Sequence, residues 1–496
     1  MFLGNFASVG YFLPEFILTA TILILIITRV ATKDRQSTAF PILSLVGVGM
    51  AILFAAVIPA GEGKATFEGM VAYDAFAVFF KMVTALAAIV VIFMSMDSRE
   101  MEGGPQVEFY IFLLSSLIGM FLLASSTDIV MLYLAFELVS IPSYLLAGYL
   151  KGKVQATEAA MKYVVYGGTA SGVMIYGFSI LFGLTGSTQI GEIGRAVAGG
   201  AAGGMPIIPL VLSAVMITVG FGYKIAAVPF HMWCPDVYEG AATPATAYFS
   251  VAPKAAGFAV AVRFFYSVFS AYDPATSFWH LTTDVNWTLL FAVLSAITMT
   301  VGNLVAVKQD NVKRLLAYSS ISHAGYMLMG LVLLTPAGIQ AILFYLMVYL
   351  FMNLGAFYVV LIVGNETKGE DISDFAGLGS RSPFMAVTMA AFLFALAGIP
   401  PFSGFFGKLY LFAETINRQV YWLVVVAALN SVVALYYYAR IVKAMFFSEP
   451  KSTTEIRVAA VPRAMLVILV VPTVLLVLNW EPVARIAANS VKMLVF

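Results

Sequence analysis

Apolar runs of roughly 20 residues, each bounded by charged or turn-forming clusters, recur about fourteen times along the chain. Their centres fall near residues 20, 50, 85, 115, 139, 170, 217, 256, 295, 325, 350, 399, 433 and 469. A helix of that length spans the hydrocarbon layer of a bilayer, and it pairs its own backbone groups where no water is present to do so. The predicted fold class is therefore an all-α integral membrane protein of about fourteen transmembrane helices. Composition agrees, with 61% of residues hydrophobic and 11% charged, where soluble domains carry about 25% charged residues. The longest connections, 184–204 and 364–382, are too short for a soluble domain, so 1–496 is expected to be a single polytopic membrane domain.

Two runs contain helix breakers. The seventh is interrupted over Val228 to Pro235 by Pro229 and Pro235, and the twelfth (Pro383 to Thr415) by GIPPFSG at Gly398 to Gly404. Each is expected to form helix–loop–helix, the arrangement that exposes backbone polar groups inside membrane proteins. The segments also belong to an internal repeat. DIVMLYLAFELVSIPSYLLAG (Asp128 to Gly148) aligns without gaps to DNVKRLLAYSSISHAGYMLMG (Asp310 to Gly330), with eight identities in 21 positions. A slightly shorter offset pairs Pro229-Phe230 with Pro401-Phe402. The matched spans are the fifth with the tenth and the seventh with the twelfth. Five is odd, so the copies must cross the membrane in opposite directions. Two inverted five-helix repeats are expected, the fourth to eighth helices (105–271) and the ninth to thirteenth (285–447).

Sidedness follows from basic residues outside the spans. Alternate loops on one side hold Arg29, Lys33, Arg35, Arg99, Lys151, Lys153, Lys308, Lys313, Arg314, Lys368, Arg381, Lys451, Arg457 and Arg463. The other side holds Lys64, Arg195, Arg418, Arg485 and Lys492. Basic loops stay cytoplasmic, so both termini are expected on the non-cytoplasmic side. Met1 to Glu15 lacks the basic region and cleavage site of a signal peptide, so the first run is expected to remain as a helix.

Several functions are disfavoured. A net charge of +1 offers no footprint for nucleic acid. One cysteine, Cys234, and three histidines, His231, His280 and His323, fall short of the about four thiolates of an iron–sulfur cluster or the axial histidines of a dihaem site. No dinucleotide or P-loop fingerprint is present. The chain is expected to hold no cofactor or metal.

What remains is a short set of ionisable residues at membrane depth, each costing on the order of 2.5–3.5 kcal/mol to insert. Glu137 lies mid-way along the fifth span, Lys162 near the start of the sixth and Lys224 in the seventh before its break. Lys254 and Arg263 lie in the eighth, and Lys408 in the twelfth just past its break. Glu15, Lys81, Glu158, Glu414, Arg440 and Lys443 lie nearer the ends, where snorkelling accounts for them. For Glu137 and Lys224 two readings stay open: an ion pair holding two helices together, or a proton relay in which the carboxylate raises the lysine's proton affinity and burial lowers it. Lys254 and Lys408 have no acidic neighbour in their own spans. His231 and His323 titrate near neutrality and either pack helices or link the lysines to water. Cys234 reads as a small buried hydrophobe.

YLAFELVSIPSYLLAGY, EAAMKYVVYG, KIAAVPFHMWCPDVYEGAATPATAYFSVAPKAAG, QDNVKRLLAYSSISHAGYMLMG and GIPPFSGFFGKLYLF carry a resemblance. The chain resembles, over its whole length, the antiporter-like membrane subunits of proton-pumping NADH–quinone oxidoreductase (complex I), and among them the chain-N family. TPATAYFSVAPKAAG separates it from the sister L and M chains. Lys408 stands where chain M usually has glutamate, and the chain ends at Phe496 without the long lateral helix of chain L. The resemblance implies that Glu137, Lys162, Lys224, Lys254 and Lys408 are the family's relay residues, and that protons move through this chain while NADH oxidation and quinone reduction occur elsewhere. Flavin, iron–sulfur clusters and quinone are then expected in partner subunits, and other membrane subunits, including sister antiporter-like chains, are expected beside it in a bacterial inner membrane. The alternative is a subunit of a Mrp-type cation/proton antiporter, which shares the fold and the lysines.

Overall fold

The computed structural model describes residues 3–32, 37–58, 63–101, 106–451 and 455–492. Met1, Lys33, Arg35, residue 105 and Phe496, each used above, lie outside them, as does the side chain of Lys492.

Helices stand at all fourteen expected positions. They are α1 (Asn5–Thr32), α2 (Ala39–Val57), α3 (Ala75–Asp97), α4 (Gln106–Ser125), α5 (Ile129–Ala147) and α6 (Val154–Thr185). The seventh is split into α7a (Ile207–Ile225) and α7b (Trp233–Gly240), followed by α8 (Thr243–Val268), α9 (Trp287–Ala306), α10 (Val312–Leu331) and α11 (Pro336–Thr367). The twelfth is split into α12a (Pro383–Ala397) and α12b (Ser403–Asn417), and α13 (Tyr421–Phe447) and α14 (Ala460–Leu475) complete the set. Among the described residues, 11 helices are long and apolar enough to cross a membrane. The α10 helix is too polar for that test because of its SSISH run, and α12a and α14 are short.

Many helix starts are set by an acceptor side chain one residue before the helix. Asp74 accepts from Ala77 N at 2.7 Å, Asp128 from Val130 N at 2.8 Å, Asn311 from Arg314 N at 3.0 Å and Thr335 from Gly338 N at 2.9 Å. Each such cap contributes about 1 kcal/mol by pairing a donor the helix itself leaves open. Close helix pairs rest on glycine. A Cβ on Gly119 of α4 would meet Val139 N of α5 at 2.7 Å, and one on Gly302 of α9 would meet Ser322 N of α10 at 2.8 Å. At the membrane faces, Ile129 N donates to Thr188 O and Ile190 N to Thr127 O, both at 2.9 Å. The same bracket ties Val312 N to Glu370 O at 2.7 Å and Ile372 N to Asp310 O at 2.8 Å.

The α8 helix lies at the centre, buried along its whole most apolar window, between α3, α4, α7a and α11. The α3 helix is fastened by charge at three levels. Asp74 at its start pairs with Arg263 of α8 at 2.9 Å, Lys81 pairs with Glu15 of α1 at 2.6 Å, and Asp97 at its end accepts from Tyr358 of α11 at 2.5 Å. Glu15 and Lys81 are both buried. Snorkelling to the surface, expected for these two, is therefore replaced by mutual neutralisation inside the bundle.

Other departures are local. The breaks span 226–232 and 398–402, shorter at their far ends than expected, because Trp233 and Ser403 already open the second half-helices. The connection 184–204 holds a helix, Ile190–Gly203, and 364–382 begins with the last turn of α11. Two short antiparallel hairpins join Lys64–Thr66 (β1) to Val71–Tyr73 (β2) and Ser270–Asp273 (β3) to Phe278–Leu281 (β4). A final helix, Glu481–Lys492, follows α14.

Candidate functional site

Both breaks place a lysine against the free C-terminal end of a half-helix. α7a stops because Ala226 turns left-handed, at φ 58°. The chain end it exposes is closed by Val228 N donating to Thr298 Oγ1 at 3.0 Å and by Trp233 Nε1 donating to Tyr223 O at 3.3 Å. Lys224 occupies the last turn of α7a, where the helix dipole favours a cation. α12a stops at Gly398, whose φ of 82° suits glycine and whose missing side chain leaves room for Lys408. The Lys408 ammonium reaches back from α12b to donate to Ala397 O, the last carbonyl of α12a, at 2.9 Å.

Lys224, Lys254 and Lys408 are 3%, 1% and 4% exposed, so each must find its partners inside the bundle. Lys224 donates to Ser140 Oγ at 2.7 Å and lies 4.0 Å from the centre of the Phe136 ring, both on α5. Its stem packs on Gly257 of α8, where a Cβ would approach Lys224 Cγ to 3.2 Å. Lys254, one turn from Gly257, donates to Ser320 Oγ of α10 at 2.5 Å. Lys408 also approaches Ser431 Oγ of α13 at 3.4 Å and lies 4.5 Å above the Tyr326 ring. Among the described residues none of the three is ion-paired. Glu137 sits between Phe136 and Ser140, and its Oε1 is buried with no hydrogen-bond partner.

His323 lies within electrostatic reach of both Lys254 and Lys408. Its Nδ1 is 2.7 Å from Tyr345 Oη, and its Nε2 is 3.3 Å from Tyr438 Oη. His231, in the α7 break, lies within electrostatic reach of Lys254, and its Nδ1 is buried without a hydrogen-bond partner among the described residues. Cys234 is buried beside them as a free thiol. Lys162 stands apart. Its side chain is 36% exposed and pairs with Glu158 at 2.7 Å and Asp236 at 2.5 Å. Asp236 is shared with Arg314, which also holds Glu239 at 2.7 Å. The sequence-based set thus divides into an interior group on α5, α7, α8, α10 and α12, buried except for the half-buried Glu137, and a charged cluster at the start of α6. No cluster of three or more His, Cys, Asp or Glu side chains suited to a metal ion occurs among the described residues.

Sequence reasoning missed the side chains that meet the relay candidates: the Ser140, Ser320 and Ser431 hydroxyls and the Tyr326 ring at the lysines, and the Tyr345 and Tyr438 hydroxyls at His323. The signal was present in α10, where Ser319, Ser320, Ser322, His323 and Tyr326 crowd a helix that ought to be apolar.

Broken helices, lysines at their free ends and a third lysine on an unbroken central helix define an antiporter-like polytopic membrane protein. A family profile described as "NADH:quinone oxidoreductase/Mrp antiporter, TM" matches residues 126–434. The NADH-quinone oxidoreductase subunit N of Anaeromyxobacter sp. (strain Fw109-5) is 42% identical over 508 residues, covering 99% of this chain and 98% of the relative. A chain of the respiratory complex I of Thermus thermophilus matches with a TM-score of 0.78 at 28% identity, over 96% of this chain and 99% of that one. A chain of the Mrp complex of Dietzia sp. DQ12-45-1b shares the fold, with a TM-score of 0.81 at 20% identity over 98% and 97%. The chain belongs to the NADH:quinone oxidoreductase/Mrp antiporter family, on its NADH-quinone oxidoreductase subunit N branch.

Proposed function

We propose that this chain is a non-redox, proton-translocating subunit of an NADH–quinone oxidoreductase, in which Glu137, Lys224, Lys254, His323 and Lys408 form a relay along the middle of the membrane. The observation that carries the reading is that three lysines are buried with only hydroxyl, carbonyl or ring partners. A buried ammonium without a counter-ion is held weakly in its charged form, so a small change in the surrounding field loads or unloads its proton. Glu137 supplies such a field next to Lys224. His231 extends the relay from Lys254 toward the α7 break, and Lys162 connects it to the charged cluster at the membrane face.

The inverted repeats, 105–271 and 285–447, fit this reading. They are supported by the matching brackets around Asp128 and Asn311 and by the matching glycine contacts of α4 with α5 and of α9 with α10. The complex lies in a bacterial inner membrane, and both termini of this chain face away from the cytoplasm. Flavin, iron–sulfur clusters and quinone are held by partner subunits, and sister antiporter-like chains pack beside this one. The test is the ratio of protons moved to electrons passed by the assembled complex in sealed vesicles. Lys254→Met should lower that ratio while electron transfer continues, and a wild-type ratio in the assembled variant would remove Lys254 from the relay.

A further inference from the structure

A cavity of about 780 Å³ opens on the basic side of the chain, where α3, α7b and α11 end and α10 begins. Its wall carries three carboxylates, Glu100, Glu239 and Glu370. Glu239 is also held by Arg314 at 2.7 Å, so the cavity continues the charged cluster of Lys162. Lys313, in the first turn of α10, lines the cavity and is yet only 1% exposed. A lysine so near a helix end ordinarily runs out to water. This one donates to Ala241 O at 2.8 Å and pairs with Glu370 at 3.0 Å, while Glu370 keeps 22% of its side chain exposed. Packing does not call for a cation here, since the aligned position in the other repeat is Met131.

Two observations lead from Lys313 to Lys254. On α10, Lys313 and Ser320 are seven residues apart and so share a face, about 10 Å apart along the axis, and Ser320 Oγ accepts from Lys254 at 2.5 Å. On α7b, Tyr238 precedes Ala241 by one turn, and its ring centre is 5.9 Å from the Lys254 ammonium. The Tyr238 hydroxyl is buried and makes no hydrogen bond of ordinary geometry among the described residues. We propose that this cavity is the proton entrance of the chain, with Glu370 and Lys313 as its first carriers and Tyr238 as the hydroxyl that hands the proton to Lys254. The proposal rests on the relay reading of Lys254. A proton from the cavity first neutralises the Glu370 carboxylate, which removes the counter-charge of Lys313. Lys313 then gives a proton to the Tyr238 oxygen as the Tyr238 O–H proton passes to neutral Lys254, and Glu370 restores the proton of Lys313. Gaps longer than a hydrogen bond are crossed by way of water.

The test uses the assembled complex in sealed vesicles with the cavity side outward. Lys313→Met, which copies the aligned residue, and Tyr238→Phe, which keeps the ring, should each lower the proton-to-electron ratio by up to the full loss seen in Lys254→Met. Adding Lys313→Met to Lys254→Met should cause no further loss. Gln155, exposed in the cavity wall, supplies a second arm. Gln155→Cys should pump as the wild type until a bulky, membrane-impermeant thiol reagent is added, and then fall to the Lys254→Met level. The chain's own Cys234 is buried, and wild-type complex given the same reagent controls for partner subunits. An assembled Lys313→Met complex with the wild-type ratio, or a labelled Gln155→Cys complex that still pumps fully, overturns the proposal. A wild-type ratio in Lys254→Met overturns the relay reading instead, while the labelling still decides whether protons enter through the cavity.

Discussion

Lys224 rests on the two residues that bracket Glu137: its ammonium is 2.7 Å from Ser140 Oγ and 4.0 Å from the centre of the Phe136 ring. The lysine is thus held next to the carboxylate without being joined to it. A buried pair in direct contact keeps both charges, whereas a separated pair lets the carboxylate tune the lysine's proton affinity. Glu137→Gln keeps the shape and removes the field. The variant complex should assemble, oxidise NADH and move fewer protons per electron. An assembled variant with the wild-type ratio would make Glu137 a structural residue.

Among the described residues Lys254 has a single hydroxyl within hydrogen-bond distance, that of Ser320. Ser320→Ala should therefore leave a buried ammonium with one donor fewer satisfied and cost about 1–3 kcal/mol, lowering proton transfer without stopping it. Lys254→Met should have the larger effect. Lys64→Met, at the exposed first residue of β1, should leave the proton-to-electron ratio unchanged. Vesicle pumping assays on all three, normalised to NADH oxidation, check the order.

Gly398 combines a left-handed backbone with contact against the Lys408 stem, where a Cβ would lie 2.8 Å from Lys408 Cδ. Gly398→Ala should destabilise the break by about 1–2 kcal/mol from the backbone alone and displace the ammonium from Ala397 O. Thermal stability of the purified complex and its pumping ratio should fall together. Unchanged pumping would show that Lys408 does not need the half-helix end.

Arg263 and Asp74 form a buried pair joining α8 to α3. Asp74→Asn leaves the guanidinium without its counter-charge and should cost about 3–5 kcal/mol, read as loss of assembled complex. Asp74→Asn combined with Arg263→Met removes both charges and should recover much of that loss. Equal loss in the single and double variants would show that the site needs its caps and shape rather than its charges.

The spans and both breaks were legible because length, proline and glycine act locally, as at Pro229 and Gly398. The buried lysines were legible because charge at membrane depth is costly enough to stand out. Glu15 and Lys81 were not recognisable as partners: they are far apart in sequence and each lies near a span end, where an innocuous explanation exists. The hydroxyls of Ser320 and Tyr438 escaped notice because serine and tyrosine are common in membrane helices, and only packing of α8 and α13 against α10 gives them partners. The helix Ile190–Gly203 was hidden by its glycines, which resemble a linker until packing against Ser267 and Val268 supports them.

The Asp74–Arg263 pair also constrains how such chains diverge. The acid lies at the head of the third helix and the base near the end of the eighth, so the two positions are bound to change together. A lineage that shed its first three helices would strand a guanidinium in the bundle. Its descendants should carry an uncharged residue at the position of Arg263, or stand beside a neighbour that lends the missing acid.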